Sequence, residues 1–212
     1  MELLMGKGQK FFAFATKLAQ LMWLNILTIV CSLPIITVGA AFTAMHRVLV
    51  DIYRDEDNKI TKTYFVSFKK NFWQATKIWL LYLVFYAILL ADYWALKALD
   101  NNAIRYLNIL LPVLVLISSL SLSWVFVMQS RYTLSTKDTI AFSFTRIIAF
   151  PLRTLCMGAT LLAPFVLTIY FPRFFILVPL LGISGPGIIG TCFYNKALKI
   201  MEDDGEEENS EE

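Results

Sequence analysis

The chain has 212 residues, of which 58% are hydrophobic and 17% are charged, and its mean hydropathy is +0.62. A soluble domain is nearer about 45–50% apolar and 25% charged, so this composition excludes an ordinary soluble domain. The net charge is +3, yet eight of the sixteen acids lie in 202–212. Because the bases elsewhere flank apolar runs, we expect contact with anionic lipid and no nucleic-acid binding.

Neither the cysteines nor the histidine has the spacing of a chemical site. Cys31, Cys156 and Cys192 lie in apolar runs, without metal or redox spacing, so we expect small buried side chains. His46 is the single histidine, which argues against a histidine metal site or a catalytic triad. We therefore expect no enzyme activity and no cofactor.

The first predicted membrane span is 11–33, and it ends at a break in the helical pattern. Asn25 lies deep in this span and needs a partner on another helix. Pro34 has no N–H to donate and disfavours a helix at the residue before it. We expect the Thr37 hydroxyl to cap a new helix and Gly39 to allow close backbone approach.

The segment 40–54 is amphipathic, with Arg47, Asp51 and Arg54 on its polar stripe. It is too polar to span a membrane, which predicts an elbow helix at the membrane interface. One alternative remains open. In it, the first helix continues without a break to Met45.

A second amphipathic elbow, 61–74, carries Lys69 and Lys70 and leads directly into a predicted span at 75–96. The next predicted span is 106–128, which contains four serines in its middle. Small hydroxyl side chains of this kind allow close helix contact, although they could also line a hydrophilic path.

Asp92 is the one acid well inside a predicted span. Acids within a membrane often mark ion or proton paths. Here Tyr93, Trp94 and Lys97 follow closely, which favours an interfacial acid beside a base.

A capping box at 135–138 opens a third amphipathic segment, 138–150. Its basic residue Arg146, together with Arg153 beyond it, forms a second basic elbow. The fourth predicted span follows at 152–171.

The fifth predicted span, 174–194, is rich in glycine and proline, which predicts a kinked or partly unwound helix. Two readings of its centre remain open: helix packing, or free backbone groups that meet a substrate. The residues concerned are Gly182, Gly185, Pro186 and Gly187. One membrane domain, 1–197, thus precedes an acidic tail, 198–212, that we expect to be disordered.

Lysine and arginine counts predict the orientation of the chain in the membrane. The segment 46–74 has six and 131–153 has four, whereas 97–106 has two. Both elbows and the C-terminus are therefore expected in the cytoplasm. With five spans the N-terminus lies outside, but it lies inside if the first segment is a hairpin around Pro34.

A weak internal repeat relates the two elbows. Ser67-Phe68-Lys69-Lys70 is matched by Ser143-Phe144-Thr145-Arg146 at an offset of 76 residues. A true duplication and chance matching both remain open.

Several runs resemble the YesL-like family of bacterial integral membrane proteins, and the Leu-Pro-x-x-Thr-x-Gly turn is the most specific of them. The runs are Asn25-Ile26-Leu27, Cys31-Ser32-Leu33-Pro34-Ile35-Ile36-Thr37-Val38-Gly39-Ala40, Ala44-Met45 and Phe68-Lys69-Lys70-Asn71-Phe72-Trp73-Gln74-Ala75-Thr76. The resemblance implies no known activity and no site residue. Members often lie beside carbohydrate-uptake ABC transporters of Gram-positive bacteria, which implies a supporting role in sugar import.

Together these features predict an all-α polytopic bundle with about five transmembrane helices and cytoplasmic elbow helices. We expect a non-enzymatic multi-pass protein of the bacterial plasma membrane that is accessory to carbohydrate uptake or to a related transport or signalling complex. Its expected partners are anionic lipid, a sugar ABC transporter or another membrane protein, and a second copy of the chain. The alternative is a small secondary transporter or a channel-forming subunit.

Overall fold

A computed structural model describes the backbone over residues 2–56, 59–98, 107–170 and 181–210, and the side chains over 11–56, 59–97, 110–159, 170 and 181–199. The described residues are helical and contain no β-strand. The helices are α1 Glu2–Ser32, α2 Val38–Tyr53, α3 Ile60–Ala98, α4 Leu107–Arg131, α5 Thr136–Ala149, α6 Pro151–Tyr170 and α7 Ser184–Ser210, with a 3-10 turn at Ile35–Thr37.

Among the described residues, four helices are long and apolar enough to cross a membrane, and there are five if one bent pair counts as a span. They lie at Phe11–Ser32, Ile35–Tyr53, Ile60–Lys97 and Leu110–Arg131, and the bent pair is Thr136–Ala149 with Pro151–Ala159. The all-α membrane bundle predicted from composition is therefore confirmed. The candidate spans differ in part from those predicted. Helix α2 is one of them, and the predicted span at 174–194 begins outside the described residues.

The chain reverses direction at the Pro34 break, so α1 and α2 form an antiparallel hairpin. The Lys17 ammonium lies 2.7 Å from the Asp55 carboxylate, which joins the N-terminal half of α1 to the far end of α2. The Trp23 indole donates to the Thr61 hydroxyl at 2.9 Å, close to the start of α3. A continuous first helix running to Met45 is therefore wrong.

Helix α2 is the central helix of the bundle and contacts α1, α3, α4 and α7. Twelve of its sixteen residues are buried, including the polar Thr43, His46 and Asp51. The prediction of an interfacial elbow at 40–54 is therefore wrong. The polar stripe of this segment predicts contact with water at the interface, but in the structure it faces polar side chains of neighbouring helices.

Helix α3 joins the second elbow and the second span in one continuous helix of 39 residues. At 1.5 Å per residue it is about 58 Å long, well beyond the roughly 30 Å of a hydrocarbon core. Its first half packs on α2 through Ile60 and Tyr64. Its second half packs on α4 through Ile78 and Tyr82.

Ser135 caps the N-terminus of α5 as predicted, although the return bond of Asp138 goes to the Ser135 hydroxyl and not to its backbone N–H. The Ser135 hydroxyl accepts from the Asp138 N–H at 3.3 Å and donates to the Asp138 carboxylate at 2.6 Å. The next helix, α6, begins at Pro151 after a bend of 104°. The two halves of the proposed repeat therefore differ in shape, because α3 is continuous where α5 and α6 are bent.

Helix α7 begins at Ser184, after a turn at 182–183, and runs to Ser210. A break in the glycine-rich segment is thus present, whereas the chain at 198–210 is helical where the sequence predicts disorder. Glutamate is a good helix former, and Lys199 lies one turn before Glu202, which favours continuation of the helix.

Candidate functional site

The Pro34 break is held by backbone and side-chain bonds that close the end of α1. The Thr37 hydroxyl donates to the carbonyls of Cys31 and Pro34, at 2.6 and 2.8 Å. It makes no capping bond to α2, so the predicted cap is wrong. The 3-10 turn leads directly into α2, and the hydroxyl instead satisfies carbonyls left open where α1 ends.

Gly39 marks the closest approach of α2 to α3, as the sequence predicts. A Cβ built on Gly39 would lie 2.6 Å from the Ala75 carbonyl oxygen and 2.7 Å from the Trp79 Cβ. Neither neighbour is the end of a flexible chain. Glycine is therefore required there for the two backbones to pack.

Asn25 finds the interhelical partner that its depth requires. Its side-chain oxygen accepts from the backbone N–H groups of Ile183 and Ser184, each at 3.0 Å. The Ser184 hydroxyl returns a bond to the Leu21 carbonyl at 2.8 Å. Helix α1 thus caps the first turn of α7, where N–H groups have no partner within their own helix.

The glycines and proline around this cap have different surroundings. Pro186 lies in the first turn of α7, where its missing N–H costs nothing. A Cβ on Gly187 would lie 2.7 Å from the Leu49 Cδ1, so α7 packs closely on α2. A Cβ on Gly185 would make only an ordinary contact, at 3.5 Å from Leu181. Gly182 lies in the turn itself.

Polar side chains inside the bundle pair across α2, α4 and α7. His46 Nδ1 lies 3.0 Å from the Tyr194 hydroxyl, which lies 2.9 Å from the Thr191 hydroxyl. On another side of α2, the Thr43 hydroxyl lies 3.5 Å from the side-chain oxygen of Gln129. These groups are buried, and their contacts hold α2 against both neighbours.

A buried ion pair lies near one end of α2. Asp51 accepts from Arg131 Nη2 at 2.7 Å, and its second oxygen lies 3.5 Å from Arg47 Nε. The side chains of Asp51 and Arg131 are only 4% and 10% exposed. Charges this deep need a partner, so the pair fixes α4 to α2.

Next to this pair is an open cavity of about 610 Å³, which we call the basic pocket. Its walls come from α2, the start of α3, the end of α4 and the connections that adjoin them. The lining residues are Arg47, Lys59, Lys62, Thr63, Val66, Ser67, Lys70, Asn71, Gln129, Ser130, Arg131, Tyr132 and Thr133. Five of them are bases, and none of these described lining residues is an acid.

The structure places the basic residues that the sequence singles out in different surroundings. Arg47 and Lys70 line the basic pocket, whereas the exposed Lys69 does not. Arg54 donates from Nε to the Asn195 side-chain oxygen at 2.8 Å. Arg153 stacks over the Phe150 ring at 4.9 Å, at the bend between α5 and α6.

Two predicted residues remain apart from all of these groups. Arg146 belongs to the last turn of α5 and does not line the basic pocket. Asp92 is exposed near the end of α3. Lys97, which follows in the same helix, places its ammonium 5.4 Å from the centre of the Trp94 ring. The structure therefore brings Asp92 into no cluster of described polar residues.

Sequence reasoning missed three members of the pocket as site residues. In the sequence, Lys59, Lys62 and Arg131 contribute only to the lysine and arginine count that predicts orientation in the membrane. That count was the available signal, because it places all three on one side of the membrane. It could not show that α4 ends beside the start of α3.

Residues 21–93 match the model of the family described as "Protein of unknown function, DUF624". The match covers the C-terminal part of α1 from residue 21, all of α2 and most of α3, and it includes Arg47, Lys59, Lys62 and Lys70. No curated protein and no solved structure matches the chain.

Proposed function

We propose that this chain is a non-enzymatic integral membrane protein that acts as an accessory component of a transport or signalling complex. The observation that carries the proposal is a centre filled by large side chains. Trp124, Tyr64 and Tyr194 are fully buried there, and the polar groups beside them bond to one another. A transporter acting alone needs a central site for its cargo, and large side chains pack that space in the part of the bundle that the structure describes.

Sugar import is the process that we propose it supports. The resemblance of the 33–39 turn and its flanking runs to the YesL-like family supports this assignment, and the match of 21–93 to an uncharacterised family is consistent with it. The basic residues at 46–74 support a bacterial plasma-membrane protein with its elbows and C-terminus in the cytoplasm, in contact with anionic lipid.

The decisive experiment combines a deletion strain with purification of the full chain. We expect slower growth or uptake on at least one sugar of a panel, and a membrane-protein partner that stays bound in mild detergent. Complementation by the wild-type gene is the control. No change on any sugar would remove the sugar-import assignment, and purification without any partner would remove the accessory role.

A small transporter or channel is the second candidate, favoured by the break at 182–183 within the bundle. Unwound segments of this kind hold substrates in several transporters. In this structure the N–H groups of Ile183 and Ser184 donate to the side-chain oxygen of Asn25. Sugar uptake by liposomes that contain only this protein, lost in Gly182→Leu, would favour this candidate over the accessory role.

A further inference from the structure

We propose that the basic pocket binds a phosphate group that belongs to a larger molecule. The proposal goes beyond the accessory role and does not depend on it. The shared chemistry admits two sources, a soluble phosphorylated compound and the headgroup of a phospholipid. Its basis is the charge, the buried donors and the size of the pocket.

The charge of the pocket strongly favours an anion. Lys59, Lys62 and Lys70 are exposed at its mouth, and within the described part of the chain none of them forms an ion pair. Arg47 and Arg131 lie deeper and share the single carboxylate of Asp51. The five lining bases therefore outnumber Asp51 and Glu56, the two acids whose charges act on Arg131, and the site keeps an excess of positive charge.

Two buried donors in the pocket lack a partner. The atoms are Nε of Arg131 and Nε2 of Gln129, both shielded from solvent and without a hydrogen bond in the described part of the chain. Gln129 is only 4% exposed. Leaving such a donor unpaired costs about 1–3 kcal/mol, so an oxygen-rich ligand that accepts from it is favoured.

The ion pair positions these donors before a ligand arrives. Asp51 holds Arg131 through Nη2, so the guanidinium keeps a fixed orientation while Nε has no partner among the described residues. Arginine recognises phosphate through this planar arrangement of donors, and lysine adds mobile point charges. The combination of a buried arginine and three lysines at the mouth suits a phosphate that enters from water.

The remaining wall is suited to hydroxyl groups. Its hydroxyl and amide side chains belong to Ser67, Asn71, Ser130 and Thr133. The Asn71 amide donates to Ser67 and the Ser130 hydroxyl donates to the Val127 carbonyl, so these two residues offer a ligand their side-chain oxygens as acceptors. The cavity of about 610 Å³ is far larger than one phosphate ion and falls within the usual range for small-molecule sites. A phosphorylated sugar or polyol therefore fits the wall chemistry better than inorganic phosphate alone.

Binding is tested on the full chain in phosphatidylcholine nanodiscs by isothermal titration. The probes are glucose 6-phosphate, inorganic phosphate and glucose. In a second arm, protein purified from vesicles that contain phosphatidic acid is examined by native mass spectrometry for retained lipid. We expect saturable binding of glucose 6-phosphate or retention of phosphatidic acid, weakened by added salt.

The variant is the double substitution K62Q and K70Q. Both lysines are exposed, so folding is not at risk, and each loss is expected to weaken binding about tenfold. The matched control is K77Q with K137Q, which removes two exposed lysines outside the pocket. This control should bind as the wild type does.

Each outcome decides the proposal. Binding of glucose 6-phosphate but not glucose, lost in K62Q/K70Q, supports it and identifies a soluble source. Retention of phosphatidic acid, lost in the same variant, supports it and identifies a lipid headgroup. The proposal is overturned if the wild type binds neither glucose 6-phosphate nor phosphatidic acid. It is also overturned if K62Q/K70Q and the control variant bind the ligand equally well.

Discussion

The ion pairs of this chain contribute differently to the free energy of unfolding because they differ in burial. The Lys17–Asp55 pair joins α1 to the end of α2 but is exposed, with side chains 45% and 74% accessible. The Asp51–Arg131 pair has nearly the same length and is buried. Water screens the first pair and competes with it, whereas the second is shielded from most of the solvent.

We expect D51N to destabilise the protein by about 3–5 kcal/mol, because it leaves the buried Arg131 charge without its carboxylate. K17Q removes an ion pair of similar length and should cost less than about 1 kcal/mol. Thermal unfolding of both variants in the same detergent measures the difference. Equal unfolding midpoints would show that burial does not set the value of these pairs.

A second residue-level prediction concerns Gly39. G39A should cost about 1–3 kcal/mol, because the new methyl group would press on the Ala75 carbonyl and Trp79 at under 3 Å. G185A is the matched control, since its methyl group meets only an ordinary contact at 3.5 Å. Unfolding midpoints should fall for G39A and stay constant or rise for G185A.

At the scale of elements, the breaks in helices are stabilised by other helices. The end of α1 is closed by Thr37, and the start of α7 is capped by Asn25 from α1. Helix α5 carries its own N-terminal cap, through Ser135 and Asp138. A cap within four residues can be read from sequence, but a cap supplied from 158 residues away cannot.

We expect N25L to loosen the first turn of α7. The substitution keeps the side-chain size but leaves the N–H groups of Ile183 and Ser184 unpaired, at a cost of about 1–3 kcal/mol. Hydrogen exchange at these two amides should accelerate. T16V is the control on the same helix, because Thr16 bonds only to its own helix and is exposed. Unchanged exchange in N25L would contradict the cap.

At the scale of the whole molecule, the hairpin decides which chain segments share one side. Because Lys17 meets Asp55, the N-terminal half of α1 and the α2–α3 connection lie at the same end of the bundle. This arrangement matches the alternative in which the first segment folds back at Pro34. It disfavours the simple count of five spans, which separates the N-terminus from the elbows.

Cysteine labelling tests this arrangement. In a cysteine-free background, E56C and a cysteine added at the N-terminus should react alike with an impermeant thiol reagent in intact cells. Lysine and arginine counts predict that both are protected, and that N101C on the other connection is labelled. If the N-terminal cysteine were labelled while E56C stayed protected, the hairpin would not describe the protein in its membrane.

The sequence by itself determined the class of protein, the break at Pro34, the need of Asn25 for a partner and the N-terminal cap at Ser135. Each of these follows from composition or from bonds within a few residues. Only the tertiary structure decided that α2 is the buried centre and that Arg47, Lys62, Lys70 and Arg131 share one pocket. The polar stripe of an amphipathic helix shows that it needs polar surroundings, and both water and neighbouring helices can supply them.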